Sequence, residues 1–141
     1  MSKLKKLLKY LVLLVIGGII YYGIELVYRG YSHWTMMLVG GIAFICIGEI
    51  NEFLDWDTPL IKQSVLGGAI VTVIEFVAGC IINLWCNLNV WDYSHLPFNI
   101  LGQVCLIYTV MWMGLSAVAI IADDWLRHWL FKEERPHYVI F

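Results

Sequence analysis

Between Pro97 and Ala122 the chain carries no charged residue, and the stretches 10–24, 34–48, 63–74 and 76–91 are equally free of Asp, Glu, Lys and Arg. This spacing of charges constrains the fold more than any motif does. A helix needs roughly 20 mostly apolar residues to cross ~30 Å of hydrocarbon. A 141-residue soluble domain has too little interior to bury so many such runs. Composition agrees: 14% of residues are charged and 61% apolar, where a soluble domain would have about a quarter charged. The expected class is all-α, a four-span transmembrane helical bundle forming a single integral membrane domain over residues 1–141.

The expected spans are 8–28, 35–54, 60–85 and 98–122, with an interfacial helix over 123–131 in which Asp123 and Arg127 pair at i,i+4. An acidic turn with Asp55, Trp56, Asp57 and Pro59 separates the second and third spans, and a longer loop, 86–97, precedes the fourth. Trp34, Trp56, Trp91, Trp125 and Trp129 fall near span ends, as an aromatic belt requires. With four spans, all nine Lys and Arg except Arg29 lie on the side of the N-terminus. The positive-inside rule therefore puts both termini in the cytoplasm. The basic start followed by an apolar run resembles a signal peptide, but no small-x-small cleavage site follows, so the segment is expected to remain as a helix.

The chain also resembles itself. Residues 17–27 read GGIIYYGIELV and residues 67–77 read GGAIVTVIEFV, identical at six of eleven positions at an offset of fifty, with Glu25 matching Glu75. Tyr31-Ser32-His33 recurs as Tyr93-Ser94-His95, and from there Gly40 aligns with Gly102. Matched GG, Glu and YSH in one order point to two tandem two-helix repeats, related by an axis along the membrane normal. Chance matching among glycines and β-branched residues is the competing explanation.

An acid inside a span costs about 2.5–3.5 kcal/mol at the helix centre, so it normally faces protein. Glu75 lies thirteen residues beyond Lys62, roughly 20 Å along a helix, and Glu25 sixteen beyond Lys9, roughly 24 Å. Gly68, Thr72, Glu75, Gly79 and Asn83 follow helical steps of four and three and share one face. If span 4 begins at Phe98, Gln103 lies roughly 9 Å down it, at the depth of Glu75, with Asn99 one turn above. A neutral Glu75 could then donate to either amide and lock the bundle; alternatively it carries a proton or cation, or contacts a substrate. Glu49, Glu52, Asp123 and Asp124 form an acidic rim at the inner ends of spans, with Lys62 or water in reach of the first two.

In the outer loop Asp92, Tyr93, His95 and Asn99 are close together, and Asp92 could orient His95. Without a nucleophile at an elbow this pair is a weak catalytic signal, and a folded loop capping span 4 is the simpler expectation. No Walker motif, GxGxxG, HExxH or zinc spacing is present, and nothing calls for a cofactor or metal. The four cysteines, Cys46, Cys80, Cys86 and Cys105, fall in or beside spans and are expected to pack rather than to form a disulfide framework. The terminal lysines suit anionic lipid rather than nucleic acid.

Glu75-Phe76-x-x-Gly79, then Trp91-Asp92-Tyr93-Ser94, then Phe98-Asn99-x-x-Gly102-x-x-Cys105-Leu106 and Trp112, resemble the CmpB-like, ABC-transporter type IV family of integral membrane proteins. GIELVYRGYSHW and GEINEFLDWDTPL resemble a compact bacterial subgroup of it. The resemblance covers most of residues 23–131 and implies a permease-like role in a bacterial cytoplasmic membrane, with no substrate attached to it. The expected function is that of a small transporter or transporter component for a small solute or ion. Its polar site would draw on Glu25, Glu75, Asn83, Asp92, Tyr93, His95, Asn99 and Gln103. The rival readings are a non-transporting accessory, chaperone or regulatory subunit and, third, a lipid-modifying enzyme using Asp92 and His95. The expected partners are the lipid bilayer and either further copies of the chain or a larger membrane complex.

Overall fold

A computed structural model describes residues 2–54, 58–133, 136 and 138. The acidic turn at Asp55, Trp56 and Asp57 lies outside the described residues, as do Arg135 and the side chain of Glu52.

Four helices dominate. Helix α1 (Lys3–Arg29) starts at Ser2, whose hydroxyl accepts from Lys5 N, and stops at Gly30, left-handed at φ 80°. A left-handed residue at this position is a common helix stop, and glycine adopts it without a Cβ clash. Helix α2 (Trp34–Gly48) is capped by His33, whose ring accepts from Thr35 N. It is interrupted at Glu49 and followed by the single turn α3 (Ile50–Phe53). Helix α4 (Leu60–Gly79) follows Pro59 and continues as a π-helical stretch, Cys80–Trp85. Helix α5 (Leu106–Phe131) ends at Lys132, also left-handed. Three of these helices are long and apolar enough to cross a membrane: Lys3–Arg29, Leu60–Trp85 and Leu106–Phe131. Helix α2, with 15 residues, is shorter, about 22 Å.

Three expectations change. Residues 98–105 are not the start of span 4 but a small hairpin, β1 (Asn99–Ile100) paired antiparallel with β2 (Val104–Cys105). Turn chemistry overrides hydropathy there: Asn99 Oδ1 accepts from Gly102 N at 3.1 Å, and Gly102 has φ 73°. Residues 123–131 are the last turns of a continuous α5, and their charged face points inward rather than along an interface. Finally, Trp91 is 5% exposed and belongs to a core cluster with Met36 and Val90, so it is not part of an aromatic belt. Trp34 and Trp129 are largely exposed near helix ends, as a belt requires.

α1 packs along α2, and α4 along α5. Glycine pairs set both contacts. A Cβ on Gly17 would meet Phe44 at 2.5 Å, and one on Gly67 would meet Ser116 at 2.7 Å. The two GG pairs thus occupy corresponding roles in the two helix pairs, as small residues at close helix crossings do. The correspondence breaks at the YSH segments. His33 caps α2 directly, whereas His95 lies in a turn ahead of the hairpin, and Gly40 is helical where Gly102 is a turn residue. The two pairs meet through α2 against α4 and α5, over a core of Ala43, Ile47, Ile50, Val71 and Ile120. The backbones of α1 and α5 stand further apart, and large side chains bridge the gap. The bundle therefore has one end carrying the start of α1 and the end of α5, called the terminal end below, and one carrying the 30–33 and 86–105 connections, called the loop end.

Candidate functional site

Glu75 faces the interior, 5% exposed, on the stripe that also buries Gly68, Gly79 and Asn83. Thr72 on the same stripe bonds Thr109 of α5 at 2.9 Å. Among the described residues no amide side chain bonds Glu75, so the expected acid–amide centre is not formed. Its carboxylate instead accepts from the Tyr93 hydroxyl at 3.4 Å, with the indole N–H of Trp112 beside it but short of full hydrogen-bond geometry. Glu25, from α1, approaches the same place. It accepts from Tyr21 OH at 3.1 Å and pairs with Arg29 Nε at 3.0 Å, one turn further along α1. Arg29 also donates to Val90 O at 3.0 Å, tying α1 to the loop. The one basic residue expected on the loop side thus serves locally, as the counter-charge of Glu25.

Rings surround the two acids. Tyr21 stacks on Trp112 with centroids 5.8 Å apart, and Tyr93 stacks on Tyr108 at 4.8 Å. Tyr28 and Tyr108 share a hydroxyl contact of 3.3 Å. These residues, with Glu25 and Arg29, line a cavity of about 280 Å³; Glu75 sits directly behind its Tyr93–Trp112 wall. Burial, reinforced by the negative charges of Glu75 and Glu25, pushes the Tyr93 hydroxyl well above its ordinary pKa. Tyr93 therefore remains a proton donor to Glu75 across the whole physiological range.

The amides serve a different purpose. Asn83 Oδ1 accepts from Val90 N at 2.7 Å and Trp91 N at 3.4 Å, while its Nδ2 donates to Gln103 Oε1 at 2.8 Å. Trp91 Nε1 donates to Gln103 O at 3.0 Å. Asn99 bonds Leu96 O at 2.8 Å as well as Gly102 N. Together they dock the 86–105 segment onto the π-helical end of α4, which positions Tyr93 over Glu75. Asp92 is spent on its own loop. Its Oδ1 accepts from Ser94 N at 2.9 Å, and that bond holds its carboxyl below the usual carboxylate range, with a smaller contribution from His95. His95 is exposed. Of the eight residues expected at a polar site, Glu25, Glu75 and Tyr93 come together, Asn83, Gln103 and Asn99 support the loop, and Asp92 and His95 lie outside.

A second polar cluster, at the terminal end, is larger than the acidic rim expected from sequence. Arg127, 3% exposed, pairs with Asp123, 0% exposed, at 2.9 Å and donates to Glu49 at 3.1 Å. Tyr10 OH donates to the same Glu49 oxygen at 2.7 Å. Lys9 pairs with Glu133, and Tyr138 OH donates to Asp124 at 2.9 Å. Burial and the Asp124 charge raise the Tyr138 pKa, so this tail hydroxyl also stays protonated. Arg127 and Tyr10, rather than Lys62, are what reach Glu49. The cluster binds α1, α2, α5 and the following tail to one another, a structural clasp.

Sequence reasoning missed Tyr21, Tyr28, Arg29, Tyr108 and Trp112 as site residues. Arg29 at i+4 from Glu25 was a readable signal, and Trp112 stood in the motif that carries the family resemblance; Tyr21, Tyr28 and Tyr108 carried none, because aromatic residues in apolar spans pass as packing or belt residues. All four cysteines are free.

Among the described residues charge is confined to the ends of a mostly apolar bundle and to one acidic–aromatic cavity, the pattern of an integral membrane protein. The family model described as "Putative ABC-transporter type IV" (CmpB-like) matches residues 13–136, and the chain belongs to that family. No curated protein and no solved structure matches it.

Proposed function

We propose that the protein is a small membrane transporter, or the membrane component of one, for a small solute or ion. Its working centre would be Glu75 with Glu25, Tyr21, Tyr93 and Trp112. The observation that carries this reading is the loop-end cavity of about 280 Å³, with one carboxylate in its wall and a second directly behind it. Acids inside a span are the usual mark of a solute, ion or proton pathway, and here Glu25 lines the cavity while Glu75 reaches it through Tyr93. Tyr93 OH links Glu75 to the cavity, which gives a proton a route of one hydrogen bond. An accessory role built on an exposed small-residue face has less support. The Gly17-Gly18, Gly40-Gly41 and Gly67-Gly68 pairs are all consumed by contacts within the chain.

The same reading places both termini in the cytoplasm, since Lys3, Lys5, Lys6 and Lys62 are exposed whereas Arg29 is neutralised by Glu25. A periplasm-dependent reporter should be inactive when fused at the C-terminus; activity there would reverse the orientation. The lipid bilayer is the immediate partner, and further copies or other membrane subunits would complete the transporter. These 141 residues contain no Walker motif, so any use of ATP would draw on an ATPase domain or subunit outside them. The functional test is flux in reconstituted vesicles carrying an internal pH dye, with a series of inorganic and organic cations added outside. Protein-dependent, cation-triggered proton movement that is lost in Glu75→Gln supports the proposal. Movement unchanged by Glu75→Gln, or absent for every cation, refutes it.

A further inference from the structure

We infer that the crevice between α1 and α5 binds an amphiphilic organic monocation drawn from the membrane, with its charged centre in the aromatic cavity and its apolar body between the two helices. This deepens the transport reading and rests on it for the step beyond binding.

Two hollows are continuous here. The loop-end cavity shares Tyr21, Ile24, Trp112 and Leu115 with a crevice of about 150 Å³ that runs on toward Phe44 and Ala122. The crevice opens sideways to lipid, because the backbones of α1 and α5 stand apart, joined by the Tyr21–Trp112 stack and the Tyr28–Tyr108 contact, and its rim residues Ile20, Ile24 and Val118 are 47%, 49% and 64% exposed. A molecule dissolved in the bilayer can therefore enter without crossing the loops. Two polar atoms in the wall have no hydrogen-bond partner among the described residues: Trp112 Nε1 and Ser116 Oγ, the latter on a residue only 1% exposed. Buried polar groups are rarely left unsatisfied without a reason, and an occupant or its accompanying water supplies one.

The charge of the occupant follows from the inventory. Arg29 is committed to Glu25, and among the described residues Glu75 meets only a hydroxyl and an indole. Glu75 is thus the acid without a cationic partner, set behind four stacked rings whose electron-rich faces attract cations, and a cation held there would favour its ionised form. An anion would meet Glu75 with no counter-charge. A phospholipid fits poorly too: its phosphate lies nearer the acyl chains than its ammonium does, which would bring the phosphate to the acids.

Tetraphenylphosphonium and tetraphenylborate have the same shape and opposite charge, and so isolate the electrostatic claim. Binding to the purified full chain in an uncharged detergent, followed by calorimetry and tryptophan fluorescence, should be saturable for the phosphonium and absent for the borate. Tyr108→Leu keeps an apolar side chain at a half-exposed position and should weaken phosphonium binding about tenfold. Glu75→Gln should weaken it as well, and Lys62→Gln, exposed on α4 away from the cavity, should leave it unchanged. Equal binding of the two ions, indifference to Tyr108→Leu, or full displacement by a phosphocholine detergent would overturn the inference. No phosphonium binding alongside intact cation-triggered proton movement would remove this substrate class and leave the transport reading standing. Binding without flux would do the reverse.

Discussion

Replacing Arg127 by Met should be among the most damaging single changes in the protein. The substitution keeps much of the stem's packing and removes the guanidinium. Asp123, 0% exposed with its carboxyl packed against Gly48, then loses the cation 2.9 Å away. Glu49 loses the donor at 3.1 Å but keeps Tyr10 OH, and its side chain is 26% exposed, so water makes good part of that loss. Breaking a buried pair by deleting one partner costs about 3–5 kcal/mol. The Asp123 half of the cluster carries most of this, because Glu49 is screened. The double variant Arg127→Met, Asp123→Asn removes the stranded charge and should recover more than half of the loss. The assay is unfolding of purified protein in mixed micelles of rising sodium dodecyl sulfate content, read by tryptophan fluorescence. A single-variant cost below about 1 kcal/mol would refute the claim that the cluster is a buried clasp. So would a double variant no more stable than the single one.

Two further expectations concern the loop. Asn83→Ala should strand the Val90 N–H and the Gln103 amide oxygen at a cost of about 2–3 kcal/mol, and amide hydrogen exchange should rise across 88–104 before it rises in the helices. The Asp92 carboxyl is held below its ordinary range by Ser94 N–H, so its contribution to the loop is complete above that range and is lost as pH falls through the lowered value. Exchange at the Ser94 amide should accelerate only in that acid window, and Asp92→Asn should flatten the pH response; a response unchanged by the substitution would contradict the assignment.

What the sequence reveals follows from how local each signal is. The helical class is legible because charge-free runs have no other home than a bilayer. Glu75 is legible as an inward residue because its stripe repeats at helical steps within one element, and the Asp123–Arg127 pair because it spans one turn. The 98–105 hairpin is hidden because Ile100, Leu101 and Val104 keep hydropathy high while Asn99 and Gly102 make a turn. The clasp is hidden for a different reason: Glu49 and Arg127 are 78 residues apart, and only the assembled bundle brings them together. The same holds for the cavity, whose rings come from α1, the loop and α5. Gln103 shows how one boundary error propagates. Placed in a helix it lies beside Glu75; placed in the hairpin it bonds Asn83 instead.

The proposed transport at the loop end requires Glu75 to exchange a proton with water through the cavity. Charge displacement after a pH jump, recorded on vesicles adsorbed to a solid-supported membrane, tests this without any knowledge of the substrate. Wild type should give a protein-dependent transient, and Glu75→Gln, folded to the same stability, should give none. A transient that survives Glu75→Gln, or no transient in the wild type, would contradict the proposed exchange.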